Sequence, residues 1–194
     1  MIKFVKTIAF LIVLTGTANV KAALIETVDW NGTTYGLLSA GTWLNVQSEA
    51  SSLGGNLVTI DSNAEQEFLF DLWGDSGSST TTFRFLWIGY NDFASEGNFV
   101  WASGETPNFT SWIFNEPNNQ GNEDGVWMQR HTGSLADNTI ITNGIGWNDA
   151  TNNVSSIGGV MEFASPVSAP SMSALFLLFA VLAGLRKIRK PSAL

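Results

Sequence analysis

The sequence predicts an α+β fold for the central part of the chain, residues 23–165. Two segments there combine a helix-start signal with apolar residues at helical spacing. Most of the other apolar residues fall in short segments of strand-like composition. An Asn31-Gly32 dipeptide between two such segments is a strong hairpin signal. Helices and strands therefore both contribute to a single domain.

The first elements are a hairpin and a helix. Residues 28–38 have strand composition and turn at Asn31-Gly32. Thr42 then provides an N-cap for a helix that stops before Gly54-Gly55. The apolar residues of this helix recur on one face: Trp43, Val46, Ala50 and Leu53.

A second helix begins at a capping box in which Glu65 follows Ser62. Its predicted apolar face consists of Ala64, Phe68, Leu69 and Leu72. The remaining strands are predicted at Leu57–Ile60, Phe85–Tyr90, Asn98–Ala102, Gly125–Gln129 and Val160–Phe163. The segment Ser103–Asp124 lacks apolar periodicity. Because long loops in compact domains are usually functional or disordered, and this one holds aromatic residues, we expect an ordered functional loop.

The two ends of the chain are expected to direct localisation. Residues 1–22 have a basic start, a short apolar segment and a small residue at the exit, which is the pattern of a secretory signal peptide. Residues 166–194 contain an apolar stretch followed by the basic cluster Arg186–Lys190. This tail resembles bacterial PEP-CTERM sorting tails, with Ser168-Ala169-Pro170 in place of Pro-Glu-Pro. We expect an exported, surface-associated protein whose tail is removed by a sorting protease or kept as a transmembrane anchor.

Composition excludes several kinds of site. All 17 acidic residues and only two basic residues, Arg84 and Arg130, lie between residues 26 and 162, which gives this segment a formal charge of −15. Such a surface repels nucleic acid and attracts cations. The chain has no cysteine and only one histidine, His131. Disulfides, thiolate zinc sites and multi-histidine metal centres are therefore excluded.

The densest group of oxygen-bearing side chains lies in residues 116–124 and is followed by Asn148-Asp149. Calcium takes about six to eight oxygen ligands of the carboxylate and amide kind. Carboxylates that converge without a cation repel one another, whereas a dication removes that cost. Asn, Asp and Gly also form ordinary turns. Spacing alone therefore leaves both a metal site and simple turns open.

Four landmarks then occur in a characteristic order: Ser51–Leu57, Trp87-Ile88-Gly89, Glu116-Pro117-Asn118, and Trp147-Asn148-Asp149 before Val160–Phe163. On these motifs residues 24–163 resemble the C-type lectin-like domains. The resemblance implies an α+β fold with two helices flanking small antiparallel β-sheets and a long calcium-binding loop. It also implies a carbohydrate-binding protein rather than an enzyme.

The resemblance implies a main Ca²⁺ site and a sugar-binding site in the same place. The main-site ligands would be Glu116, Asn118, Glu123, Asn148 and Asp149, and the first four would also contact the sugar. The Glu116–Pro117 bond would be cis. Glu-Pro-Asn resembles the motif of mannose-, glucose- or fucose-type binders, so glycans or exopolysaccharide are the expected partners.

A second Ca²⁺ site is implied at Asp92, Glu96, Asn119 and Asp124. Asn119 stands where the family commonly has Asp, so this site loses one charge. Two other functions remain open. One is a calcium-stabilised adhesion domain that binds protein or matrix without recognising sugar. A glycosidase is the least favoured, because no separate acid/base pair of carboxylates is evident.

Two departures from the family pattern stand out. The positions of the family's two disulfides are occupied here by Ala50 with Met161 and by Gly125 with Asn152. The long stretch 131–146 is expected to lengthen a hairpin beside the site. Among the aromatic residues, Trp87, Trp101 and Trp127 fit core positions, whereas Trp112 and Phe114 are better placed to contact a ligand.

Overall fold

The computed structural model describes residues 23–164 apart from residues 76 and 78. The elements of this part, in chain order, are β1 (Leu24–Trp30), β2 (Thr33–Gly41), α1 (Trp43–Ser52), β3 (Gly55–Leu57), α2 (Asn63–Trp73), β4 (Phe85–Asn91), β5 (Val100–Trp101), β6 (Gly125–Ser134), β7 (Ile140–Ala150) and β8 (Ile157–Phe163). The predicted signal peptide and sorting tail lie outside the described residues. Within these residues, no helix has the length and apolar character needed to cross a membrane.

The β1–β2 hairpin turns where the sequence predicts. Asn31 and Gly32 have φ values of 49° and 88°. Both central residues of this tight turn therefore adopt positive φ, which explains the Asn-Gly pair. The strands extend further than predicted, from Leu24 to Gly41.

Helix α1 confirms its predicted cap and face. The Thr42 hydroxyl accepts a hydrogen bond from the backbone N–H of Asn45, and Trp43, Val46 and Ala50 are buried. The helix ends before Gly54, whose φ of 86° suits a helix C-terminus.

Helix α2 begins at Ser62 as predicted, but its predicted buried face is partly wrong. Ser62 accepts from the backbone N–H of Glu65, whereas the Glu65 carboxylate accepts from Asp61. Ala64 is exposed, while the polar residues Glu65 and Gln66 are buried. The helix is rotated because hydrogen bonds within the core satisfy both polar side chains, a possibility that hydrophobic periodicity does not register.

The strands form one sheet in the order β1-β2-β8-β4-β6-β7, with β3 beside β8 and β5 beside β4. Most neighbours are antiparallel, but β4 and β8 pair in parallel. The α+β class is therefore confirmed, and the sheet is mixed rather than a set of small antiparallel sheets. The parallel pair arises because β8 returns at the end of the domain and inserts between β2 and β4.

Strand β7 and the outer half of β6 were not predicted as strands. The stretch 131–146 lengthens the β6–β7 hairpin, as expected, and the pairing continues to Ser134 and Ile140. The strand predicted at 57–60 is found earlier, as β3 at Gly55–Leu57, and the strand predicted at 98–102 is shortened to the two residues of β5.

Two clusters of buried side chains form the core. The larger one is rich in aromatic residues, including Tyr35, Trp73, Trp101 and Trp147. Trp87 is also fully buried, and the partly buried Trp127 stacks on Phe85. The core positions predicted for the tryptophans are therefore confirmed.

The positions that the resemblance assigns to the family's two disulfides are filled in two other ways. Ala50 and Met161 are both completely buried in the second core cluster. A Cβ added at Gly125 would stand 2.8 Å from the Trp43 ring, so the tryptophan occupies the space beside that residue. Asn152 accepts a hydrogen bond from the backbone N–H of Leu44, which ties the end of β7 to helix α1.

Candidate functional site

The long loop between β5 and β6 is anchored to strand β7. Ser111 donates its hydroxyl hydrogen to the carbonyl of Ile145, and its own carbonyl accepts from the backbone N–H of Trp147. The Trp147 indole N–H donates to the buried carboxamide of Gln66 at 2.9 Å. These contacts fix the loop where it approaches residues 116–124.

The loop then follows an irregular path in which several residues adopt left-handed backbone conformations. Asn115, Asn119 and Asn122 have φ values of 68°, 50° and 67°. Asn tolerates this region better than other residues with side chains, which accounts for the asparagines in this segment. The Glu116–Pro117 peptide bond is cis, as the family resemblance implied.

Asp149, at the end of β7, holds this loop in place. Its side chain is completely buried. Its two carboxylate oxygens accept hydrogen bonds from the backbone N–H groups of Asn118, at 3.2 Å, and Asn119, at 2.9 Å. The core strand and the loop therefore meet at a single carboxylate.

The remaining predicted main-site residues surround this carboxylate. The Asn118 amide donates to the Glu116 carboxylate at 2.5 Å, and the backbone N–H of Gln120 donates to the carboxylate of Glu123 at 3.0 Å. Asn118 also links Glu116 to Asp149, because its backbone N–H donates to the Asp149 carboxylate. The structure thus brings together Glu116, Asn118, Glu123 and Asp149.

Asn148, the fifth predicted ligand, is adjacent in the chain but is oriented differently. Its side-chain amide donates to the carbonyl oxygen of Asp149.

Burial and mutual repulsion raise the pKa of the carboxylates in this cluster. Burial, followed by the neighbouring Asp149 and Glu123 carboxylates, raises the pKa of Glu116 to about 7. Burial and Asp149 also raise the pKa of Glu123. Carboxylates accept hydrogen bonds but cannot donate them when ionised, so two of them in contact need a proton or a cation between them.

The predicted second site is assembled around Asp92. This side chain is buried, and one of its oxygens accepts from the backbone N–H of Gly97 at 2.7 Å. The other oxygen has no hydrogen-bond partner among the described residues. Burial raises the pKa of Asp92, and the charges of Asp124 and Asp149 add to this effect.

The other predicted members of the second site differ in their positions. Glu96 lies close enough to Asp92 and Asp124 for both to raise its pKa, after a larger effect of burial. Asn119 is oriented toward the main site, because its side-chain oxygen accepts from the backbone N–H of Glu123. The backbone N–H of Asp92 donates to the carbonyl of Asp124 at 3.0 Å, so these two predicted members are neighbours, whereas the Asn119 side chain contacts Glu123.

The donor chemistry suits a hard cation. In the described part of the chain, no three acidic or histidine side chains form a metal-binding group on their own. The main-site group contains three carboxylates and two amides, and calcium uses both kinds of oxygen. The repulsion that raises the pKa of Glu116 is what a bound cation would relieve. The residues present thus fit a calcium ion once amide oxygens are counted.

The sequence did not predict the buried polar residues that hold the loop and strand β7 in place. Gln66 and Ser111 fix the strand and the loop from beneath, and both are buried. The signal available for Gln66 was its spacing, three and four residues before the apolar Leu69 and Phe70. Trp112, expected near a ligand, packs instead against Tyr90, Phe99 and Trp147, whereas Phe114 is exposed.

Comparisons with known proteins agree with this architecture. The sequence profile of the family described as "Lectin C-type domain" matches residues 39–141. The chain is 38% identical over 105 residues to the alpha-N-acetylgalactosamine-specific lectin of Patiria pectinifera, covering 52% of this chain and 61% of that protein. It therefore spans about three fifths of the length of that relative. It is also 30% identical over 128 residues to lectin BRA-3 of Megabalanus rosa, covering 63% of this chain and 74% of that protein.

A solved structure shows the same fold. The carbohydrate-recognition domain of cow CD23, crystallised in the presence of a GlcNAc2Man3 oligosaccharide, superposes with a TM-score of 0.54 at 24% identity, over 78% of this chain and 99% of that one. The matched family is one of lectins and not of enzymes, in agreement with the expected absence of catalysis. The profile match, the BRA-3 relative and the shared fold together show that this chain belongs to the C-type lectin domain family.

Proposed function

We propose that this domain binds carbohydrate in a calcium-dependent manner through the long loop and the end of β7. The observation that carries the proposal is that three carboxylates meet at one short segment: Asn118 donates to Glu116 through its side chain and to Asp149 through its backbone N–H, and the backbone N–H of Gln120 donates to Glu123. Like charges in such an arrangement destabilise the loop unless a cation neutralises them. The family supports the same conclusion, since the Patiria pectinifera and Megabalanus rosa relatives are named as lectins.

A bound Ca²⁺ would supply the missing positive charge and open coordination positions for two neighbouring sugar hydroxyls. The protein's side chains would orient the sugar. Glu116 and Glu123 accept hydrogen bonds from its hydroxyl hydrogens, while the amides of Asn118 and Asn148 donate to its hydroxyl oxygens. Asp149 keeps the loop in register through its two backbone hydrogen bonds.

We propose the mannose, glucose and fucose class as the ligands. The support is the Glu116-Pro117-Asn118 motif, which resembles that of mannose-, glucose- or fucose-type binders. The relative from Patiria pectinifera is named for N-acetylgalactosamine, so this sugar belongs in any test panel. Because the side chains of this loop are largely exposed, single-site affinity should be weak, and strong binding would need several copies on one surface.

A second calcium ion at Asp92, Glu96 and Asp124 is part of the proposal. The buried Asp92 oxygen that has no hydrogen-bond partner supports it. Asn119 would contribute less than an aspartate, since it carries no charge and its side chain already accepts from Glu123. Occupancy is therefore expected to require a higher calcium concentration than the main site.

The test combines calcium titration with sugar competition. The purified protein is titrated with CaCl₂ by calorimetry and thermal unfolding, and then passed over immobilised mannose with calcium or with a chelator. We expect calcium to stabilise the fold by about 3 kcal/mol at a hundredfold excess over its Kd, and soluble mannose to compete for binding. Absence of heat on calcium addition would overturn the metal assignment.

The alternative of a calcium-stabilised adhesion domain gives a different result. It predicts the same calcium-dependent stability, but no competition by mannose, glucose, fucose, galactose or N-acetylgalactosamine. A result of that kind would indicate that the domain binds a protein or matrix ligand instead of a sugar.

We further propose that the protein is exported, with residues 1–22 removed and the lectin domain over 23–165 placed outside the cell. The composition of residues 1–22 supports this. The tail at 166–194 would link the domain to a bacterial surface, either until a protease removes it or as a membrane anchor. Mass spectrometry of the mature protein from membrane and secreted fractions tests both cleavages, and an intact N-terminus in both fractions would contradict export.

A further inference from the structure

The residues that lead into the proposed calcium site form a short extended segment, the loop strand, at residues 111–114. One side of the loop strand is hydrogen-bonded to the end of β7. The backbone N–H of Trp147 donates to the carbonyl of Ser111 at 2.7 Å, and the N–H of Ile113 donates to the carbonyl of Trp147 at 3.0 Å. The loop strand therefore runs parallel to this part of β7.

The other side of the loop strand is hydrogen-bonded to the tip of the β6–β7 hairpin, residues 134–139. The backbone N–H of Phe114 donates to the carbonyl of Ser134 at 3.0 Å. In the opposite direction, the N–H of Ala136 donates to the carbonyl of Trp112 at 2.8 Å. These two bonds flank an antiparallel bridge in the middle of the loop strand. The loop strand is thus enclosed between the end of β7 and the hairpin tip.

The long hairpin arm is anchored at its base and bent near its middle. At the base, the Arg130 guanidinium donates to the carbonyl of Asn143 at 3.1 Å and forms a 2.8 Å ion pair with Asp71 of α2. Further out, the register of the two strands shifts between His131 and Gly133, and Gly133 has a φ of 150°. A bulge of this kind bends a hairpin. The arm therefore returns to the loop strand instead of extending away from the domain.

The position of the loop strand determines where the proposed calcium ligands begin. The backbone N–H of Glu116 donates to the carbonyl of Ile113 at 2.9 Å, so the main chain of Glu116 is tied directly to the loop strand. Ile113 itself lies against Gly146 of β7, where an added Cβ would stand 2.6 Å from the isoleucine side chain. The placement of Glu116 therefore depends on both neighbours of the loop strand.

We propose that the hairpin tip is a positioning element that keeps the loop strand in its calcium-binding conformation before calcium binds, an inference that rests on the proposed function. Repulsion among the main-site carboxylates favours opening of the loop when no cation neutralises them. A loop that is open part of the time binds calcium with an apparent Kd raised in inverse proportion to the closed fraction. The main-chain hydrogen bonds of the tip oppose this opening and occupy no ligand position.

The backbone N–H of Ala136 can be removed with little change to the tip itself. The N–H of Asn138 donates to the carbonyl of Leu135 at 3.0 Å, so residues 135–138 form a β-turn in which Ala136 is the second residue. Proline is favoured at this position of the common β-turns. Leu135 lies in a β-bridge and so has the extended backbone that suits a residue before proline. Ala136→Pro therefore deletes the donor to Trp112 and preserves the turn.

The test measures calcium affinity by calorimetry and, in the calcium-free protein, hydrogen exchange of the Phe114 amide by NMR. We expect Ala136→Pro to raise the Kd for calcium about tenfold and to accelerate exchange of the Phe114 amide by a similar factor. The matched control Ala136→Ser keeps the N–H and should stay within about twofold of the wild type in both measurements. At saturating calcium, the sugar affinity of all three proteins should agree within about twofold, because the bound ion then orders the loop.

Gly133→Ala is the second variant, to be used if Ala136→Pro does not fold. An added Cβ would stand 2.9 Å from the His131 ring, and the φ of 150° is strained for alanine, so the bend of the arm must change. The Kd for calcium should again rise, and an unchanged Kd would overturn the inference.

The other outcomes separate the inference from the proposed function. If the wild type binds no calcium, the proposed function itself fails. If the wild type binds calcium and Ala136→Pro binds it equally well, the positioning role is wrong. A lower unfolding midpoint of Ala136→Pro with an unchanged Kd for calcium would show that the tip only stabilises the fold. An equal loss of calcium affinity in Ala136→Ser would show that the N–H of Ala136 is not the group responsible.

Discussion

Glu116 and Glu123 in the long loop, and Glu65 and Glu162 near the core, are carboxylates whose pKa burial raises, yet they differ in what faces them. The Glu65 carboxylate accepts from the Tyr35 hydroxyl at 2.6 Å and from the backbone N–H of Asp61 at 2.8 Å. Glu162 accepts from the backbone N–H of Thr59.

The loop carboxylates also accept hydrogen bonds, but they share the donors of one short segment: Asn118 donates to both Glu116 and Asp149. Glu65 and Glu162 each have donors of their own, whereas the loop carboxylates are crowded around residues 118–120. This difference in surroundings separates acidic residues that stabilise the fold from acidic residues that would bind a cation. A buried acid that has donors and no neighbouring carboxylate supports the fold, while acids that crowd one another point to a cation.

Removing the carboxylate that joins the two regions should have the largest effect. Asp149→Ala leaves the N–H groups of Asn118 and Asn119 without their acceptor and takes a charge from the site. We expect calcium-dependent sugar affinity to fall by about a hundredfold or more. The circular dichroism spectrum should remain that of the folded wild-type protein. Asp75→Ala, at an exposed position, is the control. Sugar binding retained by Asp149→Ala would contradict the ligand assignment.

Exchanging acceptor and donor within the loop should change selectivity rather than stability. In the double variant Glu116→Gln with Asn118→Asp, the charged acceptor and the amide donor trade places. The ratio of mannose to galactose affinity is expected to shift toward galactose by about tenfold, as measured on a glycan array with calcium. An unchanged profile would show that this pair does not read the sugar hydroxyls.

Replacing Glu162, a carboxylate near the core, should change how the free energy of unfolding depends on pH. Burial raises its pKa to about 7 from 4.5, so its favourable contribution to stability is full below pH 4.5 and is lost as pH rises through 7. Glu162→Gln keeps an acceptor for Thr59 without the charge. Its free energy of unfolding should exceed that of the wild type at pH 8 by about 2–3 kcal/mol, and the difference should vanish near pH 4.

Denaturant unfolding at several pH values checks this prediction. The control is Glu67→Gln at an exposed position on α2, where a substitution should change the free energy of unfolding by no more than about 0.5 kcal/mol. A Glu162→Gln variant that is less stable at pH 8 would show that the charge of Glu162 is compensated in the fold.

The smallest expected effect concerns the donor to Glu65. Tyr35→Phe removes the hydroxyl that donates to this buried carboxylate and leaves the aromatic packing in place. The loss of stability should be about 1–2 kcal/mol by chemical denaturation. Sugar affinity should not change, because the residue is remote from the loop in the hydrogen-bond network. A parallel loss of sugar affinity would show that the carboxylates near the core and those of the loop do not act separately.

The sequence was informative where one residue type answers one geometric need. Asn31-Gly32 predicted the hairpin, Thr42 and Ser62 predicted the helix starts, and Glu116-Pro117-Asn118 identified the loop. These signals are local, because they depend on backbone conformation within a few residues.

What could not be predicted depends on tertiary partners. The burial of Gln66 rests on the indole of Trp147, which is distant in the chain. Strand β7 was not predicted as a strand, because its outer half is exposed and lacks an alternating apolar pattern. The orientation of Asn148 toward the Asp149 carbonyl is likewise a matter of local packing that motif spacing does not specify.

The replacement of covalent cross-links by packing around Ala50 and Met161 has a practical consequence. Since the chain contains no sulfhydryl, its folding needs no oxidising compartment and is indifferent to reducing agents. A single cysteine introduced at an exposed position would be the sole attachment point for a fluorophore. The domain is thus suited to serve as a labelled sensor inside living cells, where proteins that depend on disulfide bonds fail to mature.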